Sequence, residues 1–144
     1  MHVFDLEVEQ RWDAAKHVER VLGVQDDGDF TVACWEPGQI SPYHCHPYAT
    51  EIYFCVSGGG RMYTPRTQID ITVGTFCVHP KGELHEYVNG AERTKLFRVR
   101  YGDDLASVNI GWRGHPERAP TEADIAYFKE FPPGITFNPA GISC

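Results

Sequence analysis

The sequence predicts an all-β barrel or sandwich with one short helix near its C-terminal end, on three observations. Between residues 18 and 101, short apolar or alternating runs follow one another at even spacing, broken by Gly, Pro, Asn and Asp; this is the pattern of many short antiparallel strands. Thr121-Glu122-Ala123-Asp124 reads as a helix start. The 42% hydrophobic and 12% aromatic content of the 144 residues suffices for one core without disulfides.

Nine strands are expected, at 18–24, 30–35, 41–46, 51–57, 60–64, 68–73, 75–79, 86–88 and 95–101. The run Lys16 to Leu22 could instead form a turn or two of helix, because its period is ambiguous over so few residues. Asn89-Gly90 reads as a hairpin turn. In the last strand, Phe97, Val99 and Tyr101 are assigned the apolar face, and Arg98 and Arg100 a solvated or subunit-contact face. Trp35 and Trp112 are read as packing residues. The helix, at about 121–131, has a Thr121 cap and acids in its first turn, with Ile125 and Phe128 on one face; Pro132-Pro133 ends it. It is expected to pack as a flap on the barrel or to reach a partner subunit. No repeat, low-complexity tract or linker divides the chain, so residues 1–144 are expected to form one domain.

Thirteen Lys and Arg against twenty Asp and Glu give a net charge of -7. That balance argues against nucleic acid or an anionic membrane as partner, since both demand clustered positive charge; a neutral or metal-chelating small molecule is expected instead. Cys34, Cys45, Cys55, Cys77 and Cys144 are odd in number and contain no C-x-x-C, which fits free thiols in a reducing cytoplasm. Met1-His2-Val3-Phe4-Asp5 lacks the basic and apolar regions of a signal peptide, and no run is long enough to cross a bilayer. A soluble cytoplasmic protein is the expectation.

His44 and His46 are two apart, so in a strand both imidazoles face one side. Glu51 opens the next apolar run, where a carboxylate is costly to bury without a cation. His85 follows Pro80-Lys81-Gly82 at the start of another short run. Three imidazoles and a carboxylate suit one divalent transition metal ion (iron, manganese, cobalt, nickel, copper or zinc), whereas calcium and magnesium prefer all-oxygen shells. Singly, each of these residues fits a surface or hydrogen-bonded role as well as a ligand's.

The separations join them. Gly38, five residues, His44-Cys45-His46, four residues, Glu51, six residues, Gly58 is one pattern; Gly74, five residues, Pro80-Lys81-Gly82, two residues, His85, three residues, Asn89 is the other. Together they resemble the two motifs of the cupin superfamily over residues 38–89, with both motifs intact. The resemblance implies a double-stranded β-helix, or jelly-roll barrel, with His44, His46, Glu51 and His85 as metal ligands. It also implies a homodimer formed through edge strands, which would cover exposed backbone. Gly38, Gly58, Gly74 and Gly82 would supply positive-φ turns.

By alternation Tyr53 shares a face with Glu51, and Tyr87 with His85. Glu51, Tyr53 and Tyr87 are therefore the candidate catalytic residues, although aromatics inside a barrel also serve as packing. Cys45, between two inward ligands, should point outward. His79 is left open between supporting a ligand, ligating and lying on the surface. Three functions compete: a dioxygenase-type enzyme acting on a small oxygen-rich molecule, a non-oxidative isomerase, lyase or polyketide-cyclase-like protein, and a barrel that binds a ligand without turnover. His46-Pro47-Tyr48 carries the cyclase likeness.

Overall fold

The computed structural model describes residues 1–133. A four-residue helix, α1 (Leu6–Glu9), precedes strands β1 (Val18–Gln25), β2 (Gly28–Trp35), β3 (Tyr43–Cys45), β4 (Ala49–Ser57) and β5 (Gly59–Tyr63). There follow β6 (Gln68–Thr72), β7 (Phe76–His79), β8 (Glu86–Asn89), β9 (Thr94–Gly102) and β10 (Val108–Gly111), and a helix, α2 (Glu122–Glu130). The ambiguous first run is a strand. All nine expected strands form, while α1 and β10 are additions. Cys144 lies outside the described residues.

One antiparallel sheet has the order β1-β2-β9-β4-β7. Facing it are β6-β5-β8 and β10-β3, which isolated antiparallel bridges at His44–His85 and Ile40–Val88 join. The layers enclose a core of Ala33, Trp35, Tyr53, Cys55, Met62, Ile71, Tyr87 and Leu96. Alternation along β4 buries Ala49, Glu51, Tyr53 and Cys55. Phe54 and its partner Phe97, with Phe76 beyond, lie on the other side of that sheet, where Phe54 and Phe76 are exposed. Strand β2 is buried almost throughout, because the N-terminal arm also covers its outer side. Glu7 of α1 pairs there with the buried ammonium of Lys95.

Two expectations need correction. Asn89-Gly90 is not a hairpin turn, since β8 and β9 lie in different sheets. The Asn89 amide instead donates to the carbonyls of Glu36 (2.8 Å), Glu92 (2.9 Å) and Trp35 (3.3 Å), and its oxygen accepts from the Tyr87 hydroxyl at 3.0 Å. In α2 the Thr121 cap forms, and the Thr121 amide in turn donates to the Asp124 carboxylate. The buried side of the helix is Asp124, however, and Ile125 is exposed. Asp124 accepts from the Asn109 amide and side chain at 3.1 Å each, fastening α2 to β10 as a flap; a polar anchor overrides the apolar period here.

The four motif glycines all have positive φ, between 73° and 86°. Gly58 is the most constrained, because a Cβ there would meet the Arg93 carbonyl oxygen at 2.3 Å and Thr94 Oγ1 at 2.4 Å. Gly58→Ala is expected to cost about 2 kcal/mol from the strained φ and the backbone clash. Urea unfolding followed by circular dichroism measures it; an unchanged midpoint would contradict the stated packing.

Candidate metal centre

The two motifs meet at a backbone bridge. The His44 amide donates to the His85 carbonyl (3.0 Å) and the His85 amide to the His44 carbonyl (2.8 Å). This antiparallel pair sets both side chains on one face. His46 follows β3 directly and Glu51 projects from β4. One nitrogen or oxygen from each of His44, His46, Glu51 and His85 lies within 4.8 Å of the others.

Each imidazole is aimed by a carbonyl. Nδ1 of His44 bonds the Pro42 carbonyl at 2.8 Å, Nδ1 of His85 that of Glu83 at 2.9 Å, and Nδ1 of His46 that of Leu105 at 3.1 Å. A carbonyl only accepts, so each Nδ1 carries the proton and each Nε2 presents a lone pair to the centre. Burial, and then the neighbouring His85 ring, lower the His44 pKa to about 3; burial and His79 lower that of His85. Both rings are therefore neutral near pH 7. His85 Nε2 is 2.7 Å from Glu51 Oε2, and His46 Nε2 is 3.3 Å from Glu51 Oε1. With the ring protons on Nδ1 these approaches set lone pair against lone pair, and His46 Nε2, His85 Nε2 and Glu51 Oε2 have no hydrogen-bond partner. Buried, orphaned acceptors facing each other are destabilising by themselves. A cation among them removes the conflict, so the cluster fits a metal ion, and three nitrogens with one oxygen suit a borderline transition metal.

The other candidates separate. Tyr53 is 5% exposed and its hydroxyl donates to Glu51 Oε1 at 3.2 Å. Tyr87 packs edge-on against Trp35 in the core and spends its hydroxyl on Asn89; it touches neither the cluster nor the cavity described below. Cys45 is fully buried away from the cluster, towards Tyr127 and Asp124 of α2, and burial pushes its thiol up to about 11.

His79 stacks on His85 with ring centroids 4.0 Å apart and planes within 12°. Its Nδ1 lies 2.8 Å from Glu83 Oε2. It therefore supports a ligand ring rather than joining the cluster. Glu83→Gln is expected to weaken metal retention about tenfold by loosening that stack; competition with a chromophoric chelator reads it, and unchanged retention would remove the role.

A cavity of about 510 Å³ opens in front of the cluster and reaches His44, His46 and Tyr53. Its wall includes residues that sequence reasoning missed. His17 stacks on Trp35 at 3.9 Å, with planes 9° apart, and burial pushes its pKa down to about 4, so it is a neutral aromatic plate. Arg98 and Arg100 do not lie on a solvated face: the strand phase is inverted, with Phe97, Val99 and Tyr101 outside. Arg98 is 2% exposed, bonds Glu19 and Thr31, and places Nη1 3.6 Å from Glu51 Oε1. Arg100 pairs with Asp29. A buried guanidinium is tolerable only beside carboxylates, and the pairing of Arg98 with Tyr53 and of Arg100 with Glu51 across β9 and β4 supplies the geometry. Trp35 and Trp112 both line the cavity, which adds a second duty to packing.

Comparison with known proteins agrees with this architecture. A family model described as a cupin domain matches residues 31–99. The quercetin 2,3-dioxygenase of Bacillus subtilis is 30% identical over 86 residues, which are 57% of this chain; the chain spans only 26% of that relative's length. A protein with a double-stranded β-helix domain from Klebsiella pneumoniae superposes with a TM-score of 0.70 at 18% identity, covering 76% of this chain and 96% of the other. A putative sugar phosphate isomerase from Acidithiobacillus ferrooxidans superposes at 0.54 with 26% identity, covering 59% and 58%. With both motifs in place, the two-sheet barrel closed around them and these relatives, the chain belongs to the cupin superfamily.

Proposed function

We propose that this chain is a mononuclear metal-dependent enzyme of the dioxygenase type, acting on a small molecule whose adjacent oxygens chelate the metal. The observation that carries the reading is the set of inward Nε2 lone pairs and one carboxylate, each ring fixed by a carbonyl, beside a cavity of about 510 Å³. The likeness to the Bacillus subtilis quercetin 2,3-dioxygenase supports the oxidative version.

A bound divalent transition metal would supply coordination places for substrate oxygens and for dioxygen. The chain's own residues do the rest. The Glu51 carboxylate, beside the metal's place, is positioned to accept the proton of a substrate hydroxyl. Tyr53 donates to Glu51 Oε1, which orients the carboxylate. Arg98, 3.6 Å away, favours the ionised form of Glu51. Trp35, stacked with His17, and Trp112 form an aromatic wall that excludes water and can receive a planar ring.

A specific likeness favours a second reading, in which the metal is a Lewis acid in a non-oxidative isomerase: the 26% identity to the putative sugar phosphate isomerase. Elemental analysis of the purified protein, followed by oxygen-electrode assays with catechol, flavonol and 1,3-diketone substrates, separates the two. Iron with substrate-dependent oxygen consumption is the expected result. Zinc with anaerobic turnover would replace it by the isomerase, and bound metal without turnover across the panel would leave a ligand-binding barrel.

A further inference from the structure

We infer that the molecule taken by this cavity is an anion, and that its charged oxygens are received at the cavity mouth by Lys16 and Arg118, away from the oxygens that meet the metal. The inference rests on the proposed metal site and names the substrate class that site would serve.

Charge supplies the first argument. The chain carries -7 overall, yet Lys16, Arg98, Arg100 and Arg118 all line this one cavity. The two deep arginines are balanced, Arg98 by Glu19 and Arg100 by Asp29. The two rim cations form no ion pair among the described residues: neither Lys16 nor Arg118 has a carboxylate within ion-pair distance, and Arg118 feels only the more distant charge of exposed Glu117. Asp13 shares the rim, and its carboxylate accepts from the Ala15 amide at 2.7 Å. A surplus of positive charge at the mouth of a cavity in an acidic protein draws anions towards the site and repels cations.

Local geometry supplies the second. Arg118 lies over the Trp112 ring, its guanidinium carbon 4.7 Å from the ring centroid. A stacked guanidinium keeps its in-plane N–H donors free and aimed, the arrangement suited to a carboxylate or phosphate. Deeper in the same wall, the N–H donors Trp35 Nε1 and Arg98 Nε have no acceptor of their own. An oxyanion-bearing molecule seated along this wall adds acceptors to a lining in which those donors are unpartnered. The ligand that fits is thus a planar or compact molecule with chelating oxygens at one end and an oxyanion at the other.

Two probe pairs test this on the cobalt-loaded full chain, by isothermal titration with tryptophan fluorescence as a second readout. Catechol and 3,4-dihydroxybenzoate share their chelating oxygens and differ by one carboxylate; glucose and glucose 6-phosphate differ by one phosphate. The charged member of at least one pair is expected to bind about tenfold more tightly at low salt, with the advantage shrinking as salt rises. Which pair responds tells carboxylate from phosphate. In the Lys16→Gln/Arg118→Gln double variant, both positions being exposed, the advantage is expected to vanish while catechol binding is retained. Equal binding within both pairs in the unmodified protein would overturn the anionic substrate and leave the metal site standing. An advantage that survives in the double variant would overturn the assignment to these two residues. Failure of cobalt to load, read by elemental analysis, would remove the proposed metal site and this inference with it.

Discussion

His85→Ala is expected to lower apparent metal affinity by more than about 100-fold and to abolish turnover. Groups that merely support a ligand ring usually account for 10–100-fold in metal affinity, and His85 is itself one of the four converging donors. The loss should be specific, because the backbone bridge through which His85 meets His44 does not depend on its side chain. A chelator should lower the melting temperature of the metal-loaded wild type, since an ion that binds only the folded chain at 100 times its Kd contributes about 2.7 kcal/mol. The same chelator should leave the variant's melting temperature unchanged. Full metal occupancy in His85→Ala, by elemental analysis, would refute the assignment, and Glu51→Gln provides an independent check through the carboxylate.

The second large effect is expected at Arg98. Its guanidinium is 2% exposed and stands between Glu19 and Glu51. Arg98→Met would leave two carboxylates without their buried counter-charge. Removing one partner of a buried pair costs 3–5 kcal/mol. Glu19 keeps about a third of its side chain in solvent, so the lower end, about 3 kcal/mol, is expected, or a melting temperature lower by roughly 6–12 °C. Pairing the change with Glu19→Gln should recover part of the loss, and a double variant no more stable than Arg98→Met would deny the coupling.

The pH dependence has a definite sign. Burial alone would raise the Glu19 carboxyl, but the charge and hydrogen bond of Arg98, together with His17, outweigh it and hold the group below its ordinary 4.5. A carboxyl depressed in the folded state contributes its stabilisation fully above pH 4.5 and loses it as the pH falls through the lowered value. The gap between wild type and Arg98→Met should therefore be widest near neutrality and close in acid. Melting curves between pH 7 and pH 3 read it directly.

Much of the centre could be read in the chain because its parts obey short-range rules. Two histidines at a spacing of two share a strand face, and the glycines that turn the chain between strands stand at fixed distances from them. What escaped reading depends on pairing between strands far apart in sequence. Arg98 belongs to a strand whose apolar face on paper is that of Phe97, Val99 and Tyr101, which sets Arg98 and Arg100 on the solvated side. Only the register that sets Arg100 opposite Glu51 and Arg98 opposite Tyr53 selects the arginine face for the interior. Apolar side chains are then left outside, against the usual expectation. Similarly, Tyr87 shares a strand face with His85, yet a hydrogen bond to Asn89 and contact with Trp35 hold it in the core. The β10 segment is too short and too polar to announce itself, and α1 is a single turn. His17 precedes the first strand, where no periodicity marks it as part of a cavity wall.

The N-terminal arm ties the back of the barrel to its front. Glu7 and Glu9 are fastened to Lys95 and Arg20 on the outer side of the large sheet. Trp12 then lies beneath the Arg93 guanidinium, and His17 reaches the cavity and lies flat on Trp35. This belt thus links Glu7, on the outer side of the sheet, to the aromatic wall ten residues further along the chain. Loosening the belt at Glu7→Gln should shift the Trp35 emission although Glu7 does not line the cavity, making that tryptophan a built-in gauge of events on the opposite face.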